Sequence, residues 1–300
     1  MLAPLAHVGS GSWEPLQLLP ATVAAGAYAV RARTLSRQRR PVPVARQACF
    51  FAGIALIFAA LVSPLAHLGG ELIAAHMAQH LLLGDLAALL IVLGLTGPLL
   101  QPILAHRTMQ RLRVLFHPAV ALPLWAVNLY VWHLPALYQA ALTSQPVHAL
   151  QHACFIGFGV CMWMALLGPL PAPSWFGNGA RLVYVVAVRL AGALLGNVFI
   201  WSGSVFYPDY RRGQAYWNIS PLHDQGIAGT IMMVEGSVVT IVLIGWLFLK
   251  TAREAEERQE LVEYAERHGL ELSDRRAARA VGAGRGAELR RRLEETVRTA

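Results

Sequence analysis

Seven apolar runs, separated by short polar or proline-containing junctions, organise the first 250 residues. They read as spans at roughly Leu16–Val30, Gln47–Ser63, Ala75–Leu95, Val114–His133, Val147–Leu167, Leu182–Gly203 and Ile227–Leu249. A helix rises about 1.5 Å per residue, so about 20 apolar residues cross a hydrocarbon core of roughly 30 Å. Leu16–Val30 is short for a span. The pattern predicts an all-α, polytopic membrane protein with seven transmembrane helices. Ser63-Pro64, Gly97-Pro98, Leu134-Pro135, Gly168-Pro169 and Ser220-Pro221 mark the junctions. After Lys250 the apolar runs stop. Thr251–His268 reads as a charged helix continuing from the last span, and Arg275–Ala300 as a second helical stretch. Two domains follow: a transmembrane domain over 1–250 and a charged tail over 251–300, the latter a candidate surface for homo-oligomerisation.

Composition agrees with this pattern. Apolar residues make up 56% of the chain and charged residues 14%, and the mean hydropathy is +0.47, outside the soluble globular range. A net charge of +8 would fit nucleic acid if it formed a stripe. Residues 251–300 hold 11 basic and 11 acidic residues, so the excess lies in the first 250, with 14 basic against 6 acidic. Its placement follows the membrane instead. Arg31, Arg33, Arg37, Arg39, Arg40 and Arg46 follow the first run, which predicts a cytoplasmic loop, an outer N-terminus and an inner C-terminus. Ten arginines fall in the predicted inner loops against Arg211 and Arg212 in the outer ones. Trp201, Tyr207, Tyr210, Tyr216 and Trp217 flank the last outer loop, as interfacial aromatics do. The expected partner from charge is therefore membrane lipid, not nucleic acid. Met1–Glu14 has no Lys or Arg, so no secretory signal with a basic leading region is expected. Cys49, Cys154 and Cys161 lie inside apolar runs and read as small buried hydrophobes rather than disulfide partners.

The candidate chemistry sits at the ends of the runs. His76 and His80 are one helical turn apart, as are His148 and His152, and His133 closes the fourth run. His7, His67 and His223 map to the same predicted outer side, His106 and His117 to the inner side, and His268 to the tail. A lone histidine at a helix end ordinarily makes an interfacial hydrogen bond. Two i,i+4 pairs with His133 and His223 point instead to a shared metal pocket. His76, His80, His133, His148 and His152 are expected to converge in one cavity opening outward, with Asp224 at its edge. Neutral imidazole suits copper, zinc, iron and nickel, while thioether sulfur selects cuprous copper. Met77 lies inside the first pair, and Met232 shares a helix face with Gln225, Ala228 and Glu235. Asp224 reads as a carboxylate orienting an imidazole, or as a direct ligand. The candidate metal set is therefore His76, Met77, His80, His133, His148, His152, His223, Asp224 and Met232, with copper, preferably Cu(I), as the ion.

Deeper in the runs, Asp85, Arg189 and Glu235 are costly in lipid, and Arg189 is a candidate partner for either carboxylate. At 100° per residue, Asp85 falls opposite His76, and Cys154 falls about 160° from His152. Haem held between facing histidines is the alternative cofactor. A zinc hydrolase would need a base beside bound water, and no His-Glu-x-x-His motif is present. The single lysine, Lys250, lies at the cytoplasmic end and excludes a mid-membrane Schiff base. No enzymatic activity is expected. A metal-free assembly scaffold remains open.

Four segments in order carry a family likeness. His76-Met77-Ala78-Gln79-His80-Leu81-Leu82, Trp132-His133-Leu134-Pro135-Ala136-Leu137-Tyr138, His148-x-x-x-His152 and Asp224-Gln225-Gly226-Ile227-Ala228-Gly229 resemble the signature of the multi-spanning CtaG family. That family is associated with assembly of caa-type cytochrome c oxidase and is distinct from the single-span copper chaperone that shares its name. The resemblance covers roughly residues 15–250. It implies a role in maturing the oxidase through delivery or handling of copper on the outer face of the bacterial inner (plasma) membrane, with respiratory oxidase subunits as partners. Gln151 stands where an acidic residue is expected in many relatives, which removes a carboxylate from the fifth span. The tail after Thr251 has no counterpart in the resemblance.

Overall fold

The computed structural model describes residues 15–299; His7 and the rest of Met1–Glu14 lie outside the described residues. Among those described, every regular element is helical. In chain order they are α1 (Pro15–Arg37), α2 (Val44–Val62), α3 (Pro64–Gly69), α4 (Ile73–Leu81), α5 (Ala88–Gly94), α6 (Gly97–Leu104) and α7 (Arg107–Leu112). Then follow α8 (Pro118–Trp132), α9 (Pro135–Thr143), α10 (Gln145–Leu167), α11 (Asn178–Trp201), α12 (Arg211–Tyr216), α13 (Pro221–Arg267), α14 (Asp274–Gly282) and α15 (Gly286–Thr299). A π-helical turn, Leu82–Ala87, joins α4 to α5, so that Ile73–Gly94 runs as one apolar rod.

The chain divides into two compact units, Met1–Val238 and Val239–Ala300. Among the described residues, five helical stretches are long and apolar enough to cross a membrane: Val44–Val62, Ile73–Gly94, Gln145–Leu167, Asn178–Trp201 and α13. The expected span at Val114–His133 is a bent pair, turned by 74° between Phe116 and Pro118, and makes a sixth if counted as one crossing. Its break has a local cause. Pro118 starts α8 at a position where no amide proton is needed, and His117 Nδ1 accepts from Ala119 N at 3.3 Å as its cap. The expected first span is helical as α1, but Arg31, Arg33 and Arg37 occupy its last turns and it is not one of the five.

Within the first unit, small residues let helix backbones touch, as they do in membranes where apolar burial supplies little drive between helices. A Cβ on Gly159 of α10 would run into the carbonyl oxygen of Gly84 in the π turn, and a Cβ on Gly229 would meet Gly196 O at 2.5 Å. Val183, Leu190, Leu194 and Val234 project outward instead, as side chains facing lipid do. The expected aromatic belt splits. Trp201, Tyr216 and Trp217 are exposed, whereas Tyr207 and Tyr210 are buried, because both hydroxyls find acceptors inside the fold. The second unit has its own small core of Leu261, Val281, Leu289 and Leu293, rimmed by the ion pairs Arg258–Asp274 and Arg290–Glu260.

Candidate metal centre

Two helices bring the paired histidines together. α4 carries His76, Met77 and His80 on its buried side, and α10 carries His148 and His152. The Gly84–Gly159 contact lies four residues beyond His80 and seven beyond His152, so the two backbones meet just below the imidazoles. Ring centroids stand 4.1 Å apart for His76 and His80, 4.2 Å for His148 and His152, 5.5 Å for His76 and His148, and 5.4 Å for His80 and His152. Four rings thus form a closed quartet. One ligand nitrogen from each of His76, His80 and His148 can be chosen so that all lie within 4.8 Å of one another. Two nitrogens bound to one ion at about 2.1 Å can be no more than about 4.2 Å apart. Three nitrogens sharing one ion stand about 3.6 Å apart, so ring rotations that close the widest pair by about 1 Å complete the set.

Hydrogen bonding decides which nitrogens face inward. His76 Nδ1 lies 3.2 Å from the carbonyl oxygen of Gly69, which can only accept, so Nδ1 is the protonated nitrogen of the neutral ring and Nε2 carries the lone pair. Gln17 Oε1 from α1 receives His152 Nδ1 at 2.9 Å in the same way. The Nε2 atoms of His76, His148 and His152, and both nitrogens of His80, are buried without a hydrogen-bond partner among the described residues. Buried polar atoms are nearly always paired, so five unpartnered lone-pair or N–H sites in one quartet call for a ligand. Imidazoles braced at Nδ1 by an oxygen and open at Nε2 have the bracing that metal-bound histidines have. The donor set fits a copper ion.

His133 stands to one side of the quartet. It caps α8, its Nδ1 lies 2.6 Å from Leu129 O, and its Nε2 lies 3.4 Å from Met77 Sδ. Met77, His80, His133, Met232 and Asp85 share the wall of a cavity of about 40 Å³, while His148 and His152 line a separate one of about 30 Å³ beside Gln17 and Gln79. Of these two cavities, His80 lines the one that holds His133. Asp85, expected opposite His76, lines the His80 cavity, which His76 does not line. The π turn at Leu82–Ala87 takes more than 3.6 residues per turn and breaks the 100° count, which brings Asp85 to the cavity containing His80.

Three candidates have other roles. Asp224 does not orient an imidazole: its Oδ2 accepts from Ile73 N at 2.9 Å and Gln214 Nε2 at 2.8 Å, and its Oδ1 from Ala74 N at 3.0 Å. It caps α4, the helix that carries His76 and His80, and so fixes where that helix starts. His223 is exposed, one residue along, and its backbone N donates to Ser220 Oγ. Arg189 donates to Ser237 Oγ at 3.0 Å and to Met233 O, and forms no ion pair with Asp85 or Glu235 among the described residues. His106 and His117 belong to the α7–α8 region, and His268 Nδ1 contacts Tyr264 O in the second unit.

The structure adds partners that no spacing rule identifies. Gly69 O accepts from Tyr210 Oη at 3.2 Å as well as facing His76, Tyr207 Oη donates to His133 O at 2.7 Å, and Tyr138 stacks on Tyr207 at 3.8 Å. Burial pushes the Tyr138 and Tyr210 phenols well above their ordinary range, so both remain hydrogen-bond donors. Trp-His-Leu-Pro-Ala-Leu-Tyr placed Tyr138 near His133, but the long-range contacts of Tyr207, Tyr210 and Gln17 left no local signal.

A bundle of apolar helices enclosing a braced imidazole quartet defines a helical multi-pass membrane protein with a buried polar centre. The chain belongs to the cytochrome c oxidase caa3 assembly factor (CtaG) family, whose profile matches residues 26–254. It is similar to Uncharacterized protein Mb0105 of Mycobacterium bovis and Uncharacterized protein MT0111 of Mycobacterium tuberculosis, 24% identical to each over 248 residues. The alignments cover 76% of this chain but 37% of each relative, so the chain spans well under half the length of those proteins. No solved structure matches the chain.

Proposed function

We propose that this protein supports assembly of a respiratory cytochrome c oxidase by carrying copper, preferably Cu(I), in the imidazole quartet on the outer side of the membrane. The observation that carries this reading is the convergence of His76, His80 and His148 ligand atoms within 4.8 Å. His76 Nδ1 is braced from behind while Nε2 is left open. Copper here is cargo, so the site has to release it. A ring set that needs small rotations to close around an ion, with His148 half-buried beside a small cavity, suits transient holding better than a closed structural tetrahedron. Cavities of about 30 and 40 Å³ favour an ion over a porphyrin between the rings.

Metal content and an optical spectrum of protein purified under reducing conditions test the proposal. Copper without a Soret band is expected, and a Soret band would replace copper with haem. His80→Ala and His152→Ala should each lower copper content and oxidase activity in cells while leaving protein abundance unchanged. Normal copper with reduced oxidase activity would leave a metal-free scaffold. The proposal includes seven spans with the N-terminus outside and the C-terminus inside, supported by the ten-to-two arginine asymmetry. A reporter fused after Ala300 should accordingly be active only in the cytoplasm; activity outside would reverse the orientation.

A further inference from the structure

His133 and Met77 bring a ring nitrogen and a thioether sulfur to 3.4 Å of one another on the wall of a buried cavity. Leu129 O can only accept, so the 2.6 Å contact assigns the ring proton of neutral His133 to Nδ1 and leaves a lone pair on Nε2. That lone pair points at Met77 Sδ across 3.4 Å, and a thioether has no proton to offer. Two electron-pair donors face each other in a buried site with no hydrogen between them. The aromatic neighbours of the His133 ring are Tyr138, Phe155 and Phe199, and Asp85 is the carboxylate on the same cavity wall. The two lone pairs together are a donor set for a soft cation.

We propose that His133 Nε2 and Met77 Sδ, with Met232 on the same cavity wall, form a second metal position selective for a soft monovalent ion. Imidazole plus thioether favours Cu(I) over Zn(II) and Cu(II), whereas an all-imidazole set accepts all of these. His80 belongs to both surroundings: it is part of the quartet, and it lines the His133 cavity. Among the described residues neither of its nitrogens has a partner, so the one lone pair of its neutral ring can serve either position, one at a time. The cavity of about 40 Å³ exceeds the roughly 10–15 Å³ that one water-sized sphere needs and is far too small for an organic cofactor. The two positions make a pair, one tolerant of oxidation state and one selective for Cu(I). This deepens the copper reading of the quartet and rests on it for the identity of the ion.

The experiment uses the full-length protein in detergent under anaerobic conditions, titrated with Cu(I), Ag(I) and Zn(II) against a chromophoric competitor, with X-ray absorption on the Cu(I)-loaded form. Wild type is expected to bind two Cu(I) or Ag(I) but one Zn(II), with sulfur in the copper shell. Met77→Leu, close in volume and so mild for packing, should lose one Cu(I), one Ag(I) and the sulfur signal while keeping Zn(II). His133→Ala should do the same, with unchanged thermal melting of the Met77→Leu protein confirming that the fold is intact. The double variant His76→Ala/His148→Ala should show the reverse, losing Zn(II) and keeping a sulfur-bound Cu(I). A nitrogen-only copper shell, or Cu(I) stoichiometry unchanged by Met77→Leu, would overturn the second position and leave the quartet standing. Zn(II) binding unchanged in the double variant would overturn the quartet and leave the His133–Met77 position standing. A single Cu(I) whose sulfur shell is lost in both variants would merge the two positions into one and overturn their separation.

Discussion

The imidazole quartet and Asp224 are both buried polar groups near the start of α4, and both have residue types that bind metals. They differ in what their electron pairs already do. Asp224 has both oxygens engaged, by the amides of Ile73 and Ala74 and by Gln214. The quartet has its Nδ1 atoms anchored at His76 and His152 and its Nε2 atoms open. Residue type and depth in the membrane are the same signal for both; the remaining lone pairs separate a ligand from a scaffold. The carboxylate contributes to the site by setting the helix on which two of the ligands ride.

The largest effect that could break this contrast is on metal affinity. His76→Ala/His148→Ala removes two of the three converging ligands and should weaken Zn(II) binding at the quartet by more than about 100-fold, beyond the roughly 10–100-fold typical of losing a supporting partner. Competition titration reads this directly. Retention of wild-type Zn(II) affinity would mean that the open nitrogens are not ligands.

Asp224→Ala should act in the other direction, on stability. It strips an acceptor from the Ile73 and Ala74 amides and from the buried Gln214 amide. Each unsatisfied donor costs about 1–3 kcal/mol, so a loss of at least about 2 kcal/mol is expected. Thermal unfolding in detergent should fall markedly, while the surviving folded protein keeps its metal stoichiometry. Asp224→Asn, which retains an acceptor oxygen, should recover part of the loss. Loss of metal without a fall in melting temperature would return Asp224 to the ligand set.

Apolar run lengths made the helices legible, because a span has to be long and nonpolar wherever it packs. The i,i+4 histidine pairs made the quartet legible, because one helix face is a local property. What was not legible depended on departures from regular helix or on contacts distant in sequence. Asp85 lines the His80 cavity, a placement that 100° spacing does not give, because the π turn shifts every residue after its start. Tyr207 and Tyr210 look interfacial by position and are buried because His133 O and Gly69 O, more than 70 residues away in the chain, accept their hydroxyl protons. The bend at His117 is written in the sequence as His-Pro, but its 74° angle is not.

Gln17 gives the finest test of the contrast, since it touches the quartet only from behind. Its Oε1 holds His152 Nδ1 at 2.9 Å, and it comes from α1, the helix whose hydropathy alone did not place it among the spans. If its role is to fix the tautomer of His152, Gln17→Ala should lower copper affinity by about 10-fold, the lower end of what such partners contribute, without changing the number of ions bound. Gln17→Glu should restore or raise affinity, because a carboxylate accepts the same Nδ1–H and makes the imidazole a better donor. A merely structural glutamine predicts the opposite pattern: Glu in that half-buried position would cost stability, and affinity would follow it down. Measuring both variants for copper affinity and thermal melting separates the two, since only an orienting role lets affinity rise while stability does not.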